Sequence, residues 1–450
     1  MHYHGKIVLV LGLGQTGLSM AGFLAARGAQ LRLADSRVNL PNHELVTALY
    51  PEAELHLGDF SEALFVGVDF VAASPGVPLN NPLMQGLKLK GVPVVGDIEL
   101  FARELPPGQK IIAITGANGK TTVTSLTAHL CQAAGLRTIV AGNIGPAVLG
   151  HLPVAGELWP DVYVLELSSF QIDTTFGLRT TVATVLNISE DHLDRYTSLL
   201  AYAAAKERLL HMSDKQVLNQ DDLLVCAMAQ IGGFASASYF SLHAASEWRL
   251  QQGALMHNEE VLCQASDMRL LGKHNIANAL AALALLQGIG VAADSRIIEA
   301  LQQFKGLPHR VEHIATINGV DYIDDSKGTN VGATVAALEG LGTTSVLIAG
   351  GVGKQQDFSP LLPAVNAHCR AVCLIGEASK EIAQALSQAQ VPVVPSDTLD
   401  KAVRQAEKIA RPGEAVLLSP ACASFDQFRD YLHRSEVFAQ AVAALAKEAG

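Results

Sequence analysis

Residues 6–37, KIVLVLGLGQTGLSMAGFLAARGAQLRLADSR, contain the pattern that decides the fold of the amino-terminal part of the chain. An apolar run at 7–11 predicts a buried strand, and the glycine pattern G-x-G-x-x-G follows it at 12–17, where a helix is predicted to begin. A second apolar run, at 31–34, ends next to Asp35. Such a turn brings backbone N–H groups to a diphosphate. The segment therefore predicts a unit that binds a nicotinamide or flavin dinucleotide, or another ligand with a diphosphate.

The length and composition predict a globular protein with several domains. At 450 residues the chain is too long for one ordinary core, and it predicts about three domains. Apolar residues make up 49% and charged residues 17%, which is typical of a folded chain rather than a disordered one. The net charge of −11 argues against nucleic-acid binding, because no basic surplus is present to neutralise phosphates.

The cysteines and the hydropathy pattern indicate a cytoplasmic protein. Six cysteines are scattered without a CxxC pair, which is typical of reduced thiols. The first residues, MHYHGK, lack the apolar core of a secretory signal, and the most apolar helical segment is interrupted by glutamine and glycine. We therefore expect a cytoplasmic location and no membrane insertion.

Short apolar runs alternate with helical segments along most of the chain, which predicts parallel α/β architecture. Pro-Pro-Gly at 106–108 and the segment 304–312 are candidate boundaries. The sequence thus predicts three α/β domains, at 1–93, 94–306 and 307–450. Besides the first two strands, we expect a helix at 275–287, an Asn-Gly hairpin turn within 317–320 and strands at 70–73, 111–114, 162–165, 182–186, 346–348, 371–375 and 416–418.

Residues 112–126, IAITGANGKTTVTSL, carry the strongest chemical signal in the sequence. A strand runs into a glycine turn and Lys120 opens a helix, so that backbone N–H groups and an ammonium group can converge on phosphate oxygens. The hydroxyl of Thr121 can bind Mg²⁺ there. Because Ile114 takes the place of the first glycine in G-x-x-x-x-G-K-[ST], this is a variant loop, T-G-x-N-G-K-T. Its predicted nucleotide-binding residues are Gly116, Ala117, Asn118, Gly119, Lys120, Thr121 and Thr122.

Acidic residues, a histidine and a lysine follow this loop. Glu166 comes at the end of a predicted strand, where a parallel sheet presents its carboxyl edge, and a carboxylate there is a natural ligand for Mg²⁺. His192, in the acidic segment 187–196, can bind a metal or position a nucleophile, although the segment also suits the start of a helix. Lys206 lies in a segment typical of a solvent-facing helix, and the residue pattern alone assigns no chemistry to it.

The variant loop, together with Asp191-His192-x-Asp194 and the context Tyr202-x-x-x-Lys206, resembles the Mur ligases and their folylpolyglutamate synthetase relatives. These enzymes join an amino acid to a carboxylate with the consumption of ATP. The resemblance implies ATP, two Mg²⁺ ions and a CO₂-derived carbamate on Lys206. It also implies catalytic roles for Lys120, Glu166, His192 and Lys206, and metal binding by Thr121, Glu166, His192 and Lys206.

Motifs in all three predicted domains are most similar to those Mur ligases that add D-glutamate to UDP-N-acetylmuramoyl-L-alanine in peptidoglycan precursor synthesis. The resemblance implies a Rossmann-like amino-terminal domain for the UDP substrate, a central P-loop ATPase-type domain with a parallel sheet, and a Rossmann-like carboxy-terminal domain for D-glutamate. It covers nearly the whole chain. The motifs are ASPGV (73–77), GDIELF (96–101), AGNIG (141–145), ELSSFQ (166–171), GKHNIANALAA (272–282), GLPHR (306–310), DDSKGTN (324–330) and LLSPACASFDQF (417–428).

The resemblance also assigns residues to each ligand. Besides the loop, ATP is expected to contact Asn275, Asn278, Arg310 and Asp325. The UDP-muramoyl substrate is expected at Gln15, Thr16, Asp35, Ser36, Arg37, Ser74, Gly76, Asn143 and Gln171, and D-glutamate at Lys327, Thr329, Lys354, Ser424 and Phe425. Val352 and Tyr431 depart from the family pattern, because an acid and a phenylalanine are expected at these positions. We expect a monomer that acts on these small molecules.

Three alternatives remain open from the sequence. An NAD(P)- or flavin-dependent oxidoreductase accounts for the first glycine pattern but leaves the second phosphate loop and the third domain unexplained. A nucleotide-dependent switch accounts for the phosphate loop but needs no second substrate pocket. Another Mur ligase, or a ligase of the folylpolyglutamate synthetase type, shares the loop but is expected to lack the combination of DDSKGTN and SPACASFDQF.

Overall fold

Three β-sheets follow one another along the chain in the computed structural model, which describes residues 3–154, 156–234, 236–270 and 272–449. Each sheet is covered by helices, and its central strands, such as Ile7–Leu11, Val162–Glu166 and Ser345–Gly350, are formed by apolar runs that are almost fully buried. The predicted fold class, three α/β units with parallel sheets, is confirmed. No helix in the described part of the chain has the length and hydropathy that crossing a bilayer requires.

The amino-terminal sheet has five parallel strands in the order β3-β2-β1-β4-β5. Helix α1 packs on it because Met20, Ala21 and Leu24 recur at helical spacing and are all buried. The boundary at 93/94 stays a prediction, although the last strand of this sheet follows it. The elements are β1 (Ile7–Leu11), α1 (Gln15–Ala25), β2 (Gln30–Asp35), α2 (His43–Leu49), β3 (Glu54–Leu57), β4 (Phe70–Ala73), α3 (Pro82–Leu89), β5 (Val94–Val95) and α4 (Asp97–Ala102).

The central sheet has nine strands in the order β14-β13-β12-β11-β10-β9-β6-β8-β7. The strands from β7 to β12 in this order are parallel, and β12, β13 and β14 form an antiparallel ribbon at one edge. The elements are β6 (Lys110–Thr115), α5 (Lys120–Ala133), β7 (Thr138–Gly142), β8 (Val162–Glu166), α6 (Ser169–Asp173), β9 (Thr180–Val185), α7 (Leu199–His211), β10 (Ser213–Asn219), α8 (Leu223–Ile231), β11 (Ser238–Ser241), β12 (Trp248–Gln251), β13 (Ala254–His257), β14 (Glu260–Gln264), α9 (Lys273–Gly288) and α10 (Ser295–Gln303).

The carboxy-terminal sheet has six strands in the order β15-β16-β20-β17-β18-β19. The predicted Asn-Gly turn is confirmed, since Asn318 and Gly319 have φ of 52° and 78° and join the antiparallel pair β15 and β16. The boundary at 306/307 stays a prediction. The elements are β15 (Glu312–Ile317), β16 (Val320–Asp324), α11 (Val331–Gly340), β17 (Ser345–Gly350), α12 (Leu361–His368), β18 (Cys369–Ile375), α13 (Ser379–Ala385), β19 (Val393–Asp397), α14 (Leu399–Ile409), β20 (Ala415–Leu418) and α15 (Tyr431–Ala449).

Candidate active site

A cavity of about 950 Å³ opens at the carboxyl ends of β1, β2 and β4 and extends to the central unit. A Cβ on Gly17 would lie 1.7 Å from the carbonyl oxygen of Gly12, so the glycine pattern is required for α1 to start this close to β1. All nine residues predicted for the UDP-muramoyl substrate line this one cavity: Gln15, Thr16, Asp35, Ser36, Arg37, Ser74, Gly76, Asn143 and Gln171.

Asp35 fixes the shape of this cavity at the end of β2. Its carboxylate accepts the backbone N–H of Leu13 at 2.7 Å and side-chain hydrogen bonds from Arg37 at 2.8 Å. These bonds from Arg37 lower the pKa of Asp35 to about 2, in spite of its burial. The guanidinium of Arg37, which is the cation at this end of the cavity, is therefore already paired with the carboxylate of Asp35.

The phosphate loop joins β6 to α5, and hydrogen bonds to Asn187, which follows β9, stabilise it. Gly119 has φ of 82°, in the left-handed region, and a Cβ there would lie 2.7 Å from Oδ1 of Asn278. The N–H of Asn118 donates to Oδ1 of Asn187 at 2.8 Å. Nζ of Lys120 donates to the carbonyl oxygens of Gly116 and Ala117, both at 2.9 Å, so its charge lies over the turn.

A second cavity, of about 350 Å³, lies between this loop, α9 and the start of the carboxy-terminal unit. Of the residues predicted to bind ATP, it is lined by Asn118, Gly119, Thr122, Asn275, Asn278, Arg310 and Asp325. The remaining four, Gly116, Ala117, Lys120 and Thr121, lie within or directly after the turn. Nη2 of Arg310 donates a hydrogen bond to the Thr121 hydroxyl at 2.7 Å. This bond joins the central unit to the start of the carboxy-terminal unit across the cavity.

Asp325 is the buried acid of the second cavity. Its carboxylate accepts the hydroxyl of Ser419 at 2.7 Å and lies near Arg310. Burial raises the pKa of Asp325 to about 7 because the nearby hydrogen bond and the guanidinium only partly offset the loss of hydration. Asp325 therefore changes its charge near neutral pH.

Glu166 ends β8 beside the phosphate loop. Its side chain is 2% exposed. Oε1 accepts a hydrogen bond from Nδ2 of Asn143 at 2.9 Å, and Oε2 has no hydrogen-bond partner among the described residues. A buried carboxylate oxygen without a partner is costly unless a cation binds it. Because Asn143 lines the first cavity, Glu166 lies one hydrogen bond away from the wall of that cavity.

Lys206 is buried rather than solvent-facing, contrary to what its helical segment suggests by itself. It is 1% exposed on α7, its Nζ donates to the hydroxyl of Thr115 at 3.3 Å and lies 4.5 Å from the ring centroid of Tyr202. Burial, with Lys120 nearby, lowers the pKa of Lys206 well below its ordinary value. A neutral amine, which is the form that reacts with CO₂, is thus favoured.

His192 and Asp191 lie between the central and carboxy-terminal units. The His192 ring makes an edge contact with Phe170 at 4.9 Å, and burial lowers the pKa of this histidine. Asp191 accepts a hydrogen bond from Nζ of Lys354 at 3.1 Å. Burial opposes the ionisation of Asp191, but the Coulomb attraction of Lys354 and its neighbours lowers the pKa.

The residues predicted for D-glutamate follow three neighbouring strands, β16, β20 and β17. Nζ of Lys327 lies 3.8 Å from the ring centroid of Tyr431, and burial lowers the pKa of Lys327 to about 8. Lys327 also lines the second cavity, whereas Lys354 binds Asp191. Of the other predicted residues, Ser424 is buried, Thr329 is half-buried and Phe425 is 72% exposed.

Two buried side chains near these residues were missed by reasoning from the sequence. Arg434 is 0% exposed and donates to the carbonyl oxygens of Ser326 at 2.7 Å and Cys422 at 3.1 Å. Gln356 is 8% exposed and also binds backbone groups only. The sequence marks them only by position, since Gln356 lies two residues after the predicted Lys354 and Arg434 lies in the first turn of the last helix.

The chain matches three family descriptions in sequence order. Residues 6–96 match the Mur ligase MurD-like amino-terminal domain, 114–286 the Mur ligase middle domain and 309–422 the Mur ligase glutamate ligase domain. The chain is 50% identical to the UDP-N-acetylmuramoylalanine--D-glutamate ligase of Chromobacterium violaceum, with 99% of each chain covered. It is also 50% identical to the enzyme of the same name from Methylobacillus flagellatus, with 98% of each covered.

Solved structures show the same fold at much lower identity. The UDP-N-acetylmuramate-alanine ligase of Thermotoga maritima superposes with a TM-score of 0.60 at 18% identity, covering 98% of this chain and 99% of that one. MurF from Acinetobacter baumannii gives 0.62 at 15%, covering 98% and 91%. With the full-length identity above, these matches establish that the protein belongs to the Mur ligase family.

Proposed function

We propose that the protein joins D-glutamate to the alanine carboxylate of UDP-N-acetylmuramoyl-L-alanine and converts ATP to ADP and phosphate, in peptidoglycan precursor synthesis. The relatives that are 50% identical over nearly the full length carry the name of this ligase. The observation that carries the proposal is a short link from the first cavity to the phosphate loop. Asn143 lines that cavity and donates a hydrogen bond to Glu166, which ends the strand paired with the one that leads into the loop.

The proposed reaction has two steps. An oxygen of the alanine carboxylate attacks the γ-phosphorus of ATP, ADP leaves, and an acyl phosphate forms. The amine of D-glutamate then attacks the acyl carbon, loses a proton, and the tetrahedral intermediate expels phosphate. Lys120 neutralises charge on the transferred phosphoryl group, and the loop N–H groups fix its position. The contacts of Arg310 with Thr121 and of Lys354 with Asp191 hold the third unit over this region, which helps to exclude water from the acyl phosphate.

The donor groups suit the cofactors that the family resemblance implies. Glu166, with its unpartnered Oε2, fits Mg²⁺, and we propose Thr121, His192 and a carbamate on Lys206 as further ligands. When bound, Mg²⁺ would neutralise phosphate charge. The buried amine of Lys206 fits carbamate formation, since its lowered pKa favours the neutral form. Because residues of one chain line both cavities, we propose that a monomer is active, and because the reaction consumes ATP, we propose the cytoplasm as its location.

Phosphate release tests the proposed function directly. With ATP, Mg²⁺ and UDP-N-acetylmuramoyl-L-alanine, we expect release to depend on D-glutamate and to be far slower with L-glutamate. Equal rates with both enantiomers would overturn the assignment. Activity with a different amino acid or with a folate acceptor would favour another ligase of the superfamily, and hydride transfer to a nicotinamide would favour the oxidoreductase alternative.

The carbamate is tested by a measurement that does not depend on turnover. We expect ¹³C-bicarbonate to give a carbamate resonance in the wild type and none in Lys206→Ala. The variant should lose nearly all activity, with partial rescue by acetate, which supplies a carboxylate in the vacated space. A Lys206→Ala variant that keeps full activity without rescue contradicts the carbamate.

A further inference from the structure

Three loops carry the predicted amino-acid site at one edge of the carboxy-terminal sheet. They follow β16, β17 and β20, and these strands are adjacent in the order β16-β20-β17. Lys327 lies on the first loop, Lys354 on the second and Ser424 on the third. A site built from three separate loops needs a means of fixing their relative positions, because each loop by itself has conformational freedom.

Gln356 lies on the second loop, and its one carboxamide binds backbone groups of that loop, of the third loop and of Val331, where α11 begins after the first loop. Its Oε1 accepts the backbone N–H of Val331, directly after the first loop, at 3.0 Å. Its Nε2 donates to the carbonyl oxygen of Gly353 in the second loop at 3.0 Å and to that of Ala421 in the third at 2.8 Å. Both amide protons are used, and the side chain is buried. Its hydrogen bonds therefore tie together the three segments that carry the predicted ligands.

The backbone next to these bonds is strained. Lys354, Gln355 and Ala421 have φ of 52°, 59° and 58°, in the left-handed region that residues with a Cβ rarely adopt. Such conformations persist where surrounding contacts hold them. Gln356 binds the carbonyl oxygen of Ala421 and that of Gly353, immediately before Lys354. Without these bonds the left-handed conformations at Lys354 and Ala421 lose part of their support, and we expect the position of Lys354 to become less well fixed.

We propose that Gln356 is a positioning residue for the amino-acid substrate, acting through the loops of Lys327, Lys354 and Ser424 without contacting the substrate itself. The proposal rests on the proposed function, which assigns these three residues to D-glutamate. Arg434 ties the first and third loops from the opposite side, through Ser326 and Cys422. Backbone hydrogen bonds between Val352 and Ala423 join the second loop to the third, and the side chain of Gln356 adds a link from the second loop to Val331 after the first.

The test compares Gln356→Met with Gln355→Met. Methionine matches the length of glutamine but makes none of the three hydrogen bonds, and Gln355 is the exposed neighbour, so the pair differs in burial and bonding only. For Gln356→Met we expect the KM for D-glutamate to rise at least tenfold. The KM values for ATP and the UDP substrate should stay within about twofold, and kcat at saturating D-glutamate within about threefold. Gln355→Met should match the wild type.

A second variant covers the case in which Gln356→Met does not fold. Gln356→Asn keeps the carboxamide but is one methylene too short to reach all three loops, and we expect an intermediate rise in the KM for D-glutamate. A KM for D-glutamate equal to that of the wild type in a folded variant would overturn the inference. So would a lower Tm with every KM unchanged, since that result indicates a structural role only.

The outcome for the wild type separates this inference from the proposed function. Wild-type protein that does not use D-glutamate refutes the function, and the same variants are then measured with whichever amino acid it does use. Wild-type protein that uses D-glutamate, with an unaffected Gln356→Met variant, refutes the positioning role alone.

Discussion

The two glycine turns of this protein have the same local design but hold their cations differently. Both join a buried strand to a helix, β1 to α1 and β6 to α5, and each lies beside one of the two cavities. In the first cavity the cation is Arg37, which is paired with the carboxylate of Asp35 at 2.8 Å. The positive charge of Arg37 is therefore largely neutralised by Asp35 within the protein.

The cations at the second turn and in its cavity make their direct contacts with neutral groups, although the carboxylate of Asp325 lies near Arg310. Lys120 binds two carbonyl oxygens, Arg310 binds the hydroxyl of Thr121, and Lys327 lies over the ring of Tyr431. Their charges thus remain available to a ligand. The difference suits the proposed division of labour: the first turn holds a diphosphate that does not react, and the second must stabilise a phosphoryl group during its transfer.

Removal of the second turn's lysine is the strongest test of this comparison. Lys120→Ala should reduce kcat for phosphate release by about 10²–10³-fold, which is the size of effect found when one group that stabilises a transition state is removed. Lys110→Ala is the matched control. Lys110 begins β6 at the end remote from the phosphate loop, so its replacement should change kcat by less than about twofold. A Lys120→Ala variant that keeps more than about a tenth of wild-type kcat would contradict a catalytic role for the lysine.

The first turn should instead be sensitive in its backbone. In Gly17→Ala the new Cβ would lie 1.7 Å from the carbonyl oxygen of Gly12, and we expect the free energy of unfolding to fall by roughly 3 kcal/mol. Gly14→Ala is the control, since a Cβ there meets nothing within 4 Å, and it should cost at most about 1 kcal/mol as a weaker helix cap. Denaturant titration measures both. Equal stability of the two variants would show that the turn tolerates the close approach.

The two buried acids, Asp35 in the first cavity and Asp325 in the second, should give the two substrates a different dependence of KM on pH. Asp325, with its pKa raised to about 7, is mostly protonated at pH 6 and ionised at pH 8, where its carboxylate is the better acceptor for hydrogen bonds from the hydroxyl groups of the expected ATP. At saturating Mg²⁺ the KM for ATP should therefore fall severalfold from pH 6 to pH 8, and Asp325→Asn should remove this dependence. Asp35, with its pKa lowered to about 2, stays ionised throughout, so the KM for the UDP substrate should not change for this reason. If the KM for ATP still changes with pH in Asp325→Asn, the dependence belongs to another titrating group.

The sequence predicted the fold well where the pattern is local. The strand at 7–11 is found with the predicted bounds. The nine residues that the family resemblance assigned to the UDP-muramoyl substrate line one cavity, and their binding role stays a prediction. The antiparallel ribbon of β12 to β14 was not predicted. Its strands have four or five residues with mixed polarity, such as ALMH and EVLCQ, and give too weak a period to recognise.

Tertiary contacts account for what the sequence could not predict at the site. Lys206 has the local context of a surface helix, and only the packing of α7 against the central sheet buries it. Gln356 and Arg434 bind backbone carbonyl oxygens of loops that are remote in sequence, and carbonyl groups are present at every residue. No residue type or spacing marks such a partner, so these contacts follow from the fold alone.

The smallest expected effect concerns the ring beneath Lys327. The family resemblance predicts phenylalanine at position 431, where Tyr431 adds a hydroxyl group, but the contact with the ammonium is made by the ring face, at 3.8 Å from its centroid. Tyr431→Phe should therefore change the KM for D-glutamate by less than about twofold, whereas Tyr431→Leu should raise it severalfold, since a cation–π contact at a partly buried site contributes about 1–2 kcal/mol. Steady-state kinetics at varied D-glutamate measures both variants. Equal KM values for the two would show that Lys327 needs no aromatic support. Contact with a neutral partner would then not be what distinguishes this cation of the second cavity from Arg37 in the first.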